Sequence, residues 1–174
     1  MRIGALSRLQ VALVDLDLQR GDVAAFLNLT PLQSMATIAE ARSEVDEVFL
    51  HGTMTRHPSG VHVLPAPAQI EEGDVVTPGR RGPAFDLLRP QFRYTIVDTP
   101  RTITGTTLAA LEVSDRILVL ADLSVPGIRA AQRAVELLTR LGVSSQNVAL
   151  LIAEAPGRVS FEATRCKRSA KSHC

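Results

Sequence analysis

Gln10-Val11-Ala12-Leu13-Val14-Asp15, running on into Leu16-Asp17-Leu18-Gln19-Arg20-Gly21-Asp22, is the stretch on which the fold turns. A short apolar run that ends in an acid has the length and composition of a strand buried on both faces. Asp15 and Asp17 stand at positions i and i+2 just beyond it, so in extended chain both point to the same side. Carboxylates so placed repel each other unless a cation or ordered water lies between them. In α/β folds magnesium with phosphate is the common partner of such a pair. A strand end with two solvated acids is the plainer reading, and this segment alone leaves both open.

Working outward, the same apolar-then-acid message returns at Tyr94–Val97 followed by Asp98. Arg116–Ala121 and Asn147–Ile152 read as two more buried strands. Between them lie helices. Ser34 can cap one that runs to about Val45, Thr106–Val113 reads as another, and Val23–Leu29 as a short one broken by Thr30-Pro31. The helix after Pro126 has the clearest periodicity. Ile128, Ala131, Val135 and Leu138 share one face, and Arg129, Arg133, Glu136 and Arg140 the other, before Gly142 ends it. The arginine face reads first as a solvated surface and second as a partner surface. His57-Pro58-Ser59-Gly60 reads as a turn before a short strand at Val61–Leu64. Asp46–Arg56 is mixed, Glu71–Gly82 reads as a polar loop, and Ala84–Leu88 as a short helix ended by Pro90. Apolar strands alternating with amphipathic helices predict an α/β fold, doubly wound, with a mainly parallel sheet and helices on both faces. In such folds a ligand sits beyond the carboxyl ends of the strands, where Asp15 and Asp98 lie.

The segment VALVDLDLQRGDVAAFLNLTP resembles the switch I region of CpaE-like proteins, the Flp/Tad pilus-assembly branch of the ParA/MinD deviant-Walker P-loop ATPases. The likeness continues through DEVFLHGTMTRHPSGVHVLPAP, through YTIVDTP at the Walker B and switch II strand, and through SDRILVL and the helix VPGIRAAQRAVELLTRLG. It spans about Val11 to Leu151. The resemblance implies that Asp15 lies near a magnesium shell, mainly through water, and that Asp17 positions the attacking water. It implies that Asp98 contacts magnesium through water and that Thr99 and Pro100 begin switch II, which senses the terminal phosphate. ATP and Mg2+ are the implied cofactors. A homodimer with ATP between its subunits, acting on pilus or secretion assembly proteins at the cell pole or inner membrane face, is the implied assembly.

The chain departs from that family at both ends. A glycine-rich loop ending in Gly-Lys-Thr should precede Asp15, because its backbone N–H groups cradle phosphate and its lysine neutralises it. Only Gly4 lies there, and the first lysine is Lys167. Gly105-Thr106-Thr107 follows the wrong strand and lacks the glycine run. The absent strand should neighbour Tyr94–Val97, so the sheet is expected to be poorly stable unless another segment fills the slot. The family's late Asn and basic residue are also missing, since Leu151-Ile152 run into Ala153-Glu154-Ala155-Pro156-Gly157. Residues 1–152 are thus read as a partial ATPase domain, without its first strand, P-loop and first helix, and not ATP-competent alone. A truncated or frame-shifted reading frame gives this pattern, and so does a divergent paralogue that serves as a non-catalytic scaffold.

Composition narrows the alternatives. Both lysines (Lys167, Lys171) and both cysteines (Cys166, Cys174) fall within the last nine residues, so 153–174 is read as a basic, disordered tail. A receiver domain needs a lysine beside its acids, and a dinucleotide enzyme needs Gly-x-Gly-x-x-Gly; neither occurs. The four histidines have no metal-ligand spacing. A net charge of +1 gives no pull toward nucleic acid. With no apolar run long enough to span a bilayer and no signal peptide, a cytoplasmic protein is expected.

Overall fold

The computed structural model describes residues 10–41, 45–76 and 78–153, with backbone only for 78–84. The described residues up to Val113 form one compact unit and those from Ser114 a second.

In the first unit the elements are β1 (Val11–Asp15), α1 (Val23–Phe26), α2 (Met35–Glu40), α3 (Glu47–Thr53), β2 (Thr55–Arg56), β3 (His62–Leu64), α4 (Ile70–Gly73), α5 (Pro78–Gln91), β4 (Tyr94–Asp98) and α6 (Gly105–Glu112). The sheet has the order β2-β3-β1-β4. β3 and β4 run parallel to β1, and only the two-residue β2 is antiparallel. The sheet is therefore mainly parallel, and the crossover helices follow from that, since parallel neighbours cannot be joined by tight turns.

Alternation along β1 divides the core. Ala12 and Val14, with Leu16 beyond the strand, pack against Met35, Ile38, Leu50, Leu64, Phe85 and Leu88. On the opposite face Val11, Val61 and Val63 are buried, with Leu13, Val23, Leu27 and Leu29 packed beside them. The register pairs Leu13 with both Val63 and Ile96, which places these three on one face. There the cover stops short. On β4, Tyr94 and Ile96 are 51% and 49% exposed, whereas Val97, pointing the other way, packs on the core. β4 is the edge of the sheet, pairing with β1 alone among the described residues.

Local signals explain the helix ends. The Ser34 hydroxyl accepts from Ala36 N–H at 3.2 Å and Thr37 reaches back to Ser34 N–H, a capping box. α2 ends at Glu40, short of the expected Val45. The mixed stretch 46–56 resolves into α3, capped by Asp46 accepting from Phe49 N–H at 2.7 Å, and into β2. The polar loop read at Glu71–Gly82 is overturned: α4 and the first turns of α5 occupy it. The short helix read at Ala84–Leu88 is likewise part of α5, which continues past Pro90 to Gln91. Burial of Phe85 and Leu88 outweighs the weak local propensity, and Pro90 sits so near the helix end that it removes one bond without stopping it. The Gln91 side chain donates to Leu87 O at 2.9 Å, supporting that last turn.

The second unit is a βαβ arrangement: β5 (Ile117–Asp122), α7 (Val125–Arg140) and β6 (Val148–Ala153), with β5 and β6 parallel from Ile117↔Val148 to Asp122↔Ala153. Of the apolar face expected on α7, Ala131 and Leu138 are buried, Val135 is half-buried and Ile128 is exposed. Arg129, Arg133, Glu136 and Arg140 are exposed. Gly142, at φ +81°, takes the left-handed turn beyond the helix end. Among the described residues no helix is long and apolar enough to cross a membrane. The tail read at 153–174 lies, apart from Ala153, outside the described residues.

Candidate functional site

The parallel register places Asp15 beside Asp98 at the carboxyl ends of adjacent strands, and the Leu16 N–H donates to Asp98 O at 2.8 Å. The two are not equivalent. Asp15 is fully buried. Its Oδ1 accepts from Asp17 N–H at 3.0 Å and its Oδ2 from Val23 N–H at 3.2 Å. Asp15 thus ties the loop after β1 back onto the strand and holds the start of α1. Asp98 is exposed, as is Thr99, and Pro100 follows half-buried.

Asp17 folds the loop locally. Its carbonyl accepts from Gly21 N–H at 2.7 Å and its Oδ1 from Arg20 N–H at 3.2 Å. Gly21 is required by space: a Cβ there would come to 2.3 Å from the Ala66 Cβ and 3.3 Å from the Asp15 carboxylate. The glycine lets the loop close over Asp15, a role the sequence reading did not assign.

The electrostatics are those of an acidic cluster. Burial, with the Asp98 and Asp17 charges adding to it, pushes the Asp15 carboxyl above the usual range, against the pull of its two backbone N–H donors. Desolvation followed by the Asp17 charge raises Asp98 as well, with a smaller push from Asp22. Asp22 therefore joins the group that the sequence identified as Asp15, Asp17 and Asp98. Accumulated negative charge with raised carboxyl pKa values fits a hard cation, which takes oxygen ligands and retains water. Among the described residues no three His, Cys, Asp or Glu side chains are grouped to hold a metal by themselves, so a cation here would be held largely through water.

A third acidic strand end lies in the second unit. Asp122 closes β5; its Oδ1 accepts from Ser124 N–H at 2.9 Å and from the Ser124 hydroxyl, which itself accepts from Gly127 N–H at 3.1 Å and caps α7. A Cβ on Gly127 would meet the Asp122 carboxylate at 2.2 Å. The signal is present in the sequence, Leu-Val-Leu-Ala followed directly by Asp122, and β5 runs one residue beyond the end expected at Ala121.

No protein-family model matches the chain. MinD, the septum site-determining protein of Thermotoga maritima, is 26% identical over 152 residues, which are 85% of this chain and 55% of that protein. Homology to the ParA/MinD-family ATPases is thereby supported. Solved ParA/MinD structures show the same fold. The ParA family ATPase of Chlorobium tepidum superposes with a TM-score of 0.78 at 23% identity, covering 86% of this chain and 66% of its own. MinD of Pyrococcus horikoshii, solved with Mg-ADP, gives 0.67 at 13% identity, covering 85% and 58%. The chain spans about half the length of the curated MinD it matches. The ParA/MinD likeness thus bears out the α/β fold that the sequence led one to expect.

Proposed function

We propose that this chain is a CpaE-like relative of the ParA/MinD ATPases in which the acidic edge of β1 and β4 is the magnesium side of a nucleotide site, and that it does not turn over ATP alone. The observation that carries this reading is the register of Asp15 against Asp98, with Asp17 two residues on. Residues 1–152 would act as one partial ATPase domain.

In this reading magnesium, when bound, supplies charge neutralisation for phosphate. Asp98, exposed at the strand end, holds the metal's water, and Asp15 lies behind it and fixes the loop. Asp17 orients the attacking water, since phosphoryl transfer depends on positioning and electrostatics more than on covalent help. Thr99 and Pro100 follow Asp98 directly and form the segment that responds to the terminal phosphate. In this reading the described residues contribute the magnesium side of the site, through the carboxylates of Asp15, Asp17 and Asp98. The partners of this reading are a second subunit and the proteins of a pilus or secretion apparatus, met at the pole or inner membrane face.

One observation favours the scaffold alternative. Both oxygens of Asp15 already accept backbone N–H groups, and Asp17 closes its own turn, so the pair has a structural use without any ligand. Titration with a fluorescent ATP analogue and magnesium separates the readings. The chain alone is expected to show no saturable binding; saturable, magnesium-dependent binding lost in Asp98→Ala contradicts the claim that it is incompetent alone.

A further inference from the structure

Two histidines with no ligand spacing in the sequence meet in the first unit. His51 lies in the last turn of α3, and His62 opens β3. Their ring centroids are 5.7 Å apart with planes at 81°, and the Phe92 ring stands 5.5 Å from His51 and 5.3 Å from His62. His62 pairs with Ala12 on β1 and with Arg56 on β2. It therefore lies on the sheet face of the larger core, toward the amino ends of the parallel strands, whereas Asp15 and Asp98 lie at the carboxyl ends. The Nδ1 of His62 is buried and makes no hydrogen bond. The other buried side-chain atom without a partner among the described residues is Oε1 of Gln91, next in the chain to Phe92. A buried acceptor left unmet is costly, and both of these belong to residues adjoining Phe92.

We propose that His51 and His62 form a two-imidazole site for a divalent transition ion of the zinc, nickel or copper class, with water completing its coordination. Imidazole nitrogen is the ligand such ions favour. Two imidazoles on one tetrahedral ion, with Zn–N bonds of about 2.0–2.1 Å, bring their ring centroids to roughly 5–6 Å, which is the spacing of this pair. Each ring then gives one nitrogen lone pair, and the ion meets the acceptor left open on His62. Burial, then His51 and Arg56, lowers the His62 pKa from 6.5. At pH 7 its ring is therefore neutral and its lone pair available. The carboxyl end of α3 adds partial negative charge on the His51 side. Arg56, directly opposite His62 on β2, opposes a cation. Among the described residues no third His, Cys, Asp or Glu joins the pair, so the site is weak. His57 stands apart, its Nδ1 accepting from Ser59 N–H at 3.1 Å. The inference uses neither Asp15 nor Asp98 and so stands independently of the nucleotide reading.

Zinc binding, read by competition with a chromophoric zinc indicator, tests the proposal. Cys166, Cys174 and His173 also offer zinc ligands. The full-length chain is therefore measured with Cys166→Ser, Cys174→Ser and His173→Gln in place, and far-UV circular dichroism confirms that each further variant is folded. One Zn2+ should bind with a Kd on the order of 10–100 μM. A roughly tenfold excess of Mg2+, which takes oxygen ligands, should not displace it. His51→Ala should weaken binding by about tenfold or more, and so should His62→Phe, which keeps a ring beside Phe92. His57→Gln and Asp98→Asn should leave it unchanged. Arg56→Gln should tighten it severalfold by removing the opposing charge, a response that rings serving only to pack do not give. No zinc binding below about 1 mM, binding that survives both His51→Ala and His62→Phe, or binding lost in Asp98→Asn overturns the proposal. The first of these assigns the three rings to packing alone, and the last assigns the ion to the acidic strand ends.

Discussion

β1 and β4 carry nearly the same message, Val-Ala-Leu-Val-Asp against Tyr-Thr-Ile-Val-Asp, and lie side by side in register. Yet β1 is buried on both faces, whereas β4 is covered on one, with Tyr94 and Ile96 half bare on the other. Their terminal acids differ in the same way: Asp15 is sealed and hydrogen-bonded, Asp98 is open. An apolar run ending in an acid therefore identifies a strand and its polarity but leaves its neighbours undetermined, and it is the neighbours that set what each residue contributes.

The largest contrast should appear in the strands themselves. Val14→Ala, at a fully buried site, should cost about 2 kcal/mol through lost burial and a cavity, whereas Ile96→Ala should cost well under about 1 kcal/mol in the monomer. Urea unfolding at low protein concentration reads both, and equal losses would break the comparison. The acids come next. Asp15→Ala leaves the Asp17 and Val23 N–H groups without their acceptor and should cost about 1–3 kcal/mol, while Asp98→Ala should change stability by no more than about 0.5 kcal/mol.

Smaller effects follow from pH. Asp98 is exposed as a residue, but partial desolvation of its carboxyl at the strand end, followed by the Asp17 charge, holds it above its usual value of 3.8. The folded state therefore favours its protonated form, an advantage complete below about pH 3.8 and lost as pH rises through the folded value. At neutral pH the ionised cluster works against the fold, so Asp98→Asn should raise stability slightly at pH 7 and flatten this acidic limb. His62 has the opposite sign. Burial, then His51 and Arg56, lower its pKa from 6.5, and its Nδ1 is buried without a partner among the described residues. Its rings pack with His51 and Phe92 at 5.7 and 5.3 Å between centroids. Stability favoured by neutral His62 is present above pH 6.5 and drains away as pH falls toward the folded value. Urea midpoints at pH 7 and pH 5.5 should show that loss, and His62→Gln should reduce it.

How much of this was legible in the sequence depended on how local each signal was. β1, β4 and the capped start of α2 follow from short runs and single capping side chains, and so could be read directly. α5 could not: Gly79, Gly82, Pro83 and Pro90 argue against a helix, and it forms because Phe85 and Leu88 are buried by residues distant in sequence. Asp15, Asp17 and Asp98 were legible as a group through spacing and strand polarity. Asp22 entered the cluster, and Gly21 acquired its role, only through the return of the loop over Asp15, a three-dimensional event that leaves no periodic trace.

The most direct test of the acidic edge as a cation site is thermal unfolding of the intact chain with and without magnesium, compared with Asp98→Asn. A site with millimolar affinity should stabilise the chain by about 1.4 kcal/mol at tenfold excess over its Kd, raising the melting temperature by a few degrees, and Asp98→Asn should abolish the shift. If magnesium leaves the intact chain unmoved, or moves both proteins equally, the paired strand ends do not form a cation site.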